Sequence, residues 1–193
     1  MDRNISQTDI NQTLETLRSG GLILYPTDTI WGIGCDATNA AAVDRIFRLK
    51  EREQAKSLII LLDGDHKLAS YVQEIPEVAY QLIEYTDRPL TIIYSGAKNL
   101  APNLLAKDGS IGIRIVTQHP FCSRLLQRFR KPIVSTSANL SGLPAPANFS
   151  EIDPAIIAGV DHVVTYGQDD TRRGTASVVM KLEPDGRFEF IRR

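Results

Sequence analysis

The chain has 193 residues, 42% of them hydrophobic and 23% charged, with 22 Lys plus Arg against 23 Asp plus Glu. At this length roughly 70% of the unfolded chain's surface can be buried, so one globular domain over 1–193 needs no disulfide or metal to hold a core. A net charge of −1 excludes the broad basic field of a stand-alone nucleic-acid binder and leaves any RNA contact to a local patch.

The first seven residues carry both charge signs and no apolar run, which argues against a signal peptide, and no stretch approaches the ~20 apolar residues of a membrane span. The expected location is cytoplasmic. Cys35 and Cys122 are far apart and match no metal-ligand spacing, while His66, His119 and His162 occur singly. Reduced, buried thiols and no protein-bound metal are expected.

In chain order, Thr8 is placed to cap a helix whose Ile10, Leu14 and Leu17 fall on one face and which Gly20 and Gly21 stop. Residues 22–25 form a short buried strand that opens at Pro26 into a loop over 26–36. Asn39 caps a second helix through Leu49, with Val43, Ile46 and Phe47 inward. Residues 57–62 predict a strand, and 66–85 hold two helical pieces separated by Pro76. Strands follow at 90–94 and 111–116, then a helix over 120–129. A buried strand at 132–135 feeds a polar turn over 135–142. A short helix over 152–158 and strands at 162–166, 177–182 and 188–192 complete the chain, the last two joined by a hairpin turn at 183–186. Strands alternating with helices, several of them apolar on both faces, predict an α/β fold. Its sheet is twisted, mixed parallel and antiparallel, and covered by helices.

Ligands collect in such sheets where polar loops leave strand ends. Three loops qualify, at 26–36, 50–56 and 135–142. Lys50, Arg52 and Lys56 put three cations at a helix end, where they either relieve the helix dipole or hold a nucleoside triphosphate. Ser137 and Asn139 either satisfy their own turn or offer neutral hydrogen bonds to a nucleotide or amino acid. Gly32 and Gly34 serve backbone geometry or close approach to a ligand. Asp28 and Asp36 are available as metal ligands or as Asx-turn residues. No P-loop, dinucleotide fingerprint or nucleophile elbow is present, so covalent catalysis has no support.

The order and spacing of these segments carry a resemblance. Gly21-Leu22-Ile23-Leu24-Tyr25-Pro26-Thr27-Asp28-Thr29 with Gly32, Gly34, Cys35 and Asp36; Lys50-x-Arg52; Pro89-Leu90-Thr91; Gly112-Ile113-Arg114; and Ser135-Thr136-Ser137-Ala138-Asn139-x-Ser141-Gly142 together resemble the threonylcarbamoyl-AMP synthase family, the YrdC-like proteins of tRNA modification. The resemblance covers residues 8–182. It implies a YrdC-like fold and condensation of L-threonine, bicarbonate and ATP into threonylcarbamoyl-AMP and pyrophosphate. Mg²⁺ would accompany the ATP, and delivery to tRNA would be direct or through a partner transferase. It implies catalytic roles for Lys50 and Arg52, and substrate contacts at Thr29, Lys56, Arg114, Ser137, Asn139, Ser177 and Arg192.

The sequence departs from the family pattern at Glu53 and Ser57, where prolines are usual, which implies a looser loop. Trp31 stands for a tyrosine, and Met180-Lys181 stands where an acidic residue is common. The alternative is a YrdC-like RNA-binding or accessory protein without synthase activity. The resemblance implies the short form of the family, without the extra C-terminal domain of longer members.

Overall fold

The computed structural model describes residues 5–51 and 58–193. Six helices are described: α1 (Gln7–Arg18), α2 (Ala40–Leu49), α3 (Leu68–Tyr71), α4 (Val78–Tyr85), α5 (Pro120–Phe129) and α6 (Pro154–Gly159). The strands are β1 (Ile23–Tyr25), β2 (Gly32–Gly34), β3 (Ile59–Leu62), β4 (Leu90–Tyr94), β5 (Ile111–Ile115), β6 (Ile133–Ser137), β7 (His162–Val163), β8 (Val178–Leu182) and β9 (Phe188–Arg192). They form one sheet in the order β7-β1-β2-β6-β3-β5-β4-β8-β9. The pairs β1/β7, β3/β5 and β4/β8 are parallel and the remaining neighbours antiparallel, so the sheet is mixed, as its sequence pattern predicts.

Alternation along the central strands explains why they are apolar on both faces. Ile23 and Tyr25 enter one core with Leu61, Ile133 and the inward faces of α1 and α5, while Leu22, Leu24, Ile60 and Leu62 enter the other, beneath α2 and α3. Successive strand side chains point to opposite faces, so a strand covered by helices on both sides has no polar face. The α1 face is Ile10, Leu14 and Leu17, and it meets Phe121, Leu125 and Leu126 of α5.

Three expectations need correction. The cap of α1 is Ser6, two residues before Thr8: its hydroxyl accepts from the Asp9 N–H at 3.4 Å. The carboxylate of Asp9 turns inward instead, accepting from Thr165 N (2.9 Å), Thr165 Oγ1 (2.8 Å), Tyr166 N (3.1 Å) and the His162 ring (3.1 Å). The loop over 26–36 contains a strand, β2, in which two glycines hid the strand signal. Gly34 packs where a Cβ would lie 2.7 Å from both the Tyr25 ring and the Val134 carbonyl, so only glycine lets β2 fit between β1 and β6. Finally, β6 continues through Ser137, because Thr136 and Ser137 pair with Ile33 and Gly32. Polar side chains there are held by the ladder, not by a turn.

Candidate functional site

Strand register builds the site floor. Leu61, Arg114, Thr91, Val179 and Arg192 stand side by side across β3, β5, β4, β8 and β9. Directly paired residues share a face, and Leu61 belongs to the core beneath α1 and α5. The polar members of the row therefore lie on the same side of the sheet as those helices. Gly112 sits beside this row, where a Cβ would press on Ile59 at 2.8 Å and on Thr91 at 3.3 Å. Its missing side chain leaves room for Ile59 and Thr91, which line the cavity.

A cavity of about 170 Å³ rests on this floor, lined among others by Thr29, Arg114, Ser137, Ser177 and Arg192. Its wall on one side is the connection between Tyr25 and Gly32, which are paired across the β1/β2 hairpin. Thr27 organises that connection. Its hydroxyl donates to the Ile30 carbonyl at 2.7 Å and accepts from the Thr29 N–H at 3.1 Å. The Thr27 and Thr29 hydroxyls lie 2.9 Å apart, within hydrogen-bond distance. Trp31 closes the end of the connection by packing on Phe149, with ring centroids 4.8 Å apart, and its carbonyl accepts from Ala138 N at 3.1 Å.

The opposite wall comes from the start of β8 and from β9. Ser177 Oγ lies 2.9 Å from Thr91 Oγ1, and the Arg192 guanidinium donates to the Ser177 carbonyl at 2.9 and 3.1 Å. Ser177 and Arg192, 15 residues apart in sequence, thus form one unit. Arg114 is buried at 4% exposure. Its Nη2 lies 3.1 Å from Asp28 Oδ1 and 3.4 Å from Thr27 Oγ1. Burial pushes the Asp28 carboxyl up, an effect the Arg114 charge opposes.

Lys50 caps α2 and is 1% exposed. Its ammonium donates to the backbone carbonyls of Ser137 and Asn139, tying the helix end to the end of β6. Asn139 uses its own amide N–H groups on the carbonyls of Leu140 (2.9 Å) and Leu143 (2.7 Å). Neither Lys50 nor Asn139 lines the cavity; both shape the segment that carries Ser137 into it. Arg52 and Lys56 lie outside the described residues.

Thr27, Thr91 and Ser135 also line the cavity. All three stand inside the segments quoted above for the family resemblance, but none was singled out, because a threonine in a strand or turn carries no chemical signature of its own. Asp36 makes an Asx turn with Thr38 N at 2.8 Å and binds Lys131 at 2.6 Å. Among the described residues no group of three or more His, Cys, Asp or Glu side chains is arranged to hold a metal ion, and no helix is long and apolar enough to cross a membrane.

Comparison with known proteins places the chain in a family. The family model Sua5_yciO_yrdC, described as telomere recombination, matches residues 15–193. The chain is 36% identical over 147 residues to the threonylcarbamoyl-AMP synthase of Photobacterium profundum, covering 75% of this chain and 79% of that one. It is 39% identical over 139 residues to the synthase of the same name from Pseudoalteromonas translucida, covering 70% and 74%. Among solved structures, P. abyssi Sua5 complexed with L-threonine superposes with a TM-score of 0.82 at 25% identity, over 93% of this chain and 52% of that one. The chain thus spans about half the length of that Sua5 protein.

Proposed function

The chain belongs to the Sua5/YciO/YrdC family, and we propose that it is a threonylcarbamoyl-AMP synthase, joining L-threonine, bicarbonate and ATP with release of pyrophosphate. The observation that carries this reading is the convergence of Thr29, Arg114, Ser137, Ser177 and Arg192, drawn from five separate stretches of chain, on one cavity.

The threonine amine takes up bicarbonate to give a carbamate and water; a carbamate oxygen then attacks the α-phosphorus, and the bond to the β-phosphate breaks. Such a sequence depends on alignment and charge neutralisation more than on a tuned base. Arg114 would take the threonine carboxylate through its planar fork. Thr29, on the cavity wall, would hydrogen-bond the substrate through its hydroxyl. Arg192, fixed on Ser177, and Arg52 would neutralise charge on the phosphates. Lys50 would act by holding Ser137 in place. Lys56 and Asn139 complete the proposed substrate set, Asn139 through its turn. Mg²⁺ would arrive bound to the triphosphate oxygens and offset their charge. The product would pass to tRNA directly or through a partner transferase, in the cytoplasm.

The test is pyrophosphate release from ATP with Mg²⁺ that requires both L-threonine and bicarbonate. Purified protein that binds tRNA but releases no pyrophosphate under these conditions would replace this reading with that of an RNA-binding accessory protein.

A further inference from the structure

Asp28 does not line the cavity; it lies behind Arg114, facing two neighbouring grooves. An arginine side chain turns about four bonds and delivers two parallel hydrogen bonds only if its plane is held. Here the plane is held from one end. Asp28 Oδ1 and Thr27 Oγ1 both approach Nη2, at 3.1 and 3.4 Å, from the loop that also presents Thr29. At the other end, Nε is buried and has no hydrogen-bond partner among the described residues. Asp28 Oδ1 is likewise buried, close enough for an ion pair but not aligned for a hydrogen bond. A buried guanidinium with one idle donor and an off-line counter-ion is incomplete, since each unsatisfied buried donor costs free energy. Arg114 also lines the cavity, where an incoming carboxylate would meet it.

We propose that Asp28 is a positioning residue for the amino-acid substrate, acting through Arg114: it anchors the guanidinium so that the remaining donors grip the substrate's carboxylate. The proposal rests on the synthase reading above and adds a residue with no contact to the ligand. One loop then sets both halves of amino-acid recognition, Thr29 directly and Arg114 through Asp28.

The experiment compares calorimetric binding of L-threonine and of L-threoninol, which keeps the amine and both carbon substituents but has an alcohol in place of the carboxylate. Wild-type protein should prefer L-threonine. In Asp28→Asn, which keeps the shape and loses the charge, that preference should fall about tenfold, with threoninol affinity and the KM for ATP changed by less than about twofold. A merely structural role would weaken both ligands alike. Should Asp28→Asn fail to fold, Asp28→Glu decides, because it retains the charge and displaces it by one methylene; its preference should be intermediate. An unchanged preference in the variant that folds overturns the proposal while leaving the synthase reading intact. Failure of wild-type protein to bind L-threonine overturns both.

Discussion

Gly174 lies against the carbonyl oxygen of Thr29, so close that a Cβ built on the glycine would overlap it. The Gly174 N–H also donates to the Ala147 carbonyl at 2.9 Å, which pins the segment leading into β8 across the Thr29 loop. Gly174→Ala must push the two apart. Overpacking of this kind costs about 1–3 kcal/mol, or roughly 3–10 °C in Tm for a chain of this size. The kcat/KM for L-threonine should drop about tenfold through the shift of Thr29. Thermal melts and initial rates check both; a variant with wild-type values would show that the segment yields without moving the loop.

Lys50 gives a different split. Its buried ammonium serves two backbone carbonyls, so Lys50→Ala should lower stability by about 2–4 kcal/mol, read as a lower urea midpoint, and lower turnover as well. Lys50→Met keeps the volume and removes the donor, and should recover only the packing part of that loss. Urea melts of the pair measure the separation. Reduced turnover at wild-type stability would assign Lys50 a purely chemical role.

Acid should act in two stages. Burial pushes His119 down to about 4, while its Nδ1 caps α5 by accepting from Cys122 N at 3.1 Å. The unfolded chain therefore takes up this proton first, and stability falls as pH drops from the usual histidine range toward 4. Burial alone would raise the Asp9 carboxyl, but its bonds from His162, Thr165 and Tyr166 outweigh that and hold it below its ordinary value. Its share is present above the ordinary carboxyl value of 3.8 and lost as pH falls through the lower folded value. Urea midpoints against pH should show both stages; His119→Asn, which keeps a good helix cap, should remove the upper one alone.

Cys35 and Cys122 are both buried, and burial pushes both thiols well above the ordinary cysteine range. A thiol reagent should leave the native protein unlabelled at pH 8 and modify two sites once it is unfolded. Fast labelling of the folded protein would contradict this packing.

How much of the fold was legible depends on where its signals are local. The Asn39 cap and the α5 helix stand where capping and periodicity put them, because both effects act within a few residues. The β2 strand was not legible, since its glycines are explained by Tyr25 and Val134, which approach from β1 and β6. The α1 cap was misplaced for a related reason: both Ser6 and Thr8 are good caps, and the choice follows from Asp9 being drawn to Thr165, more than 150 residues away. At the site, the segments could be found but not their division of labour. Nothing local separates a lysine that faces solvent from one buried on the carbonyls of Ser137 and Asn139.

The sequence by itself determined the alternating helices and strands, the mixed sheet and the family, because hydrophobic period, caps and motif spacing are written in neighbouring residues. Only the tertiary structure decided that Arg114, Thr91, Val179 and Arg192 form one row, that Asp28 stands behind Arg114, and that Gly174 closes on Thr29. These are contacts between distant stretches of chain. They are fixed by strand register and by the volume each side chain leaves its neighbours, quantities that exist only once the sheet is assembled.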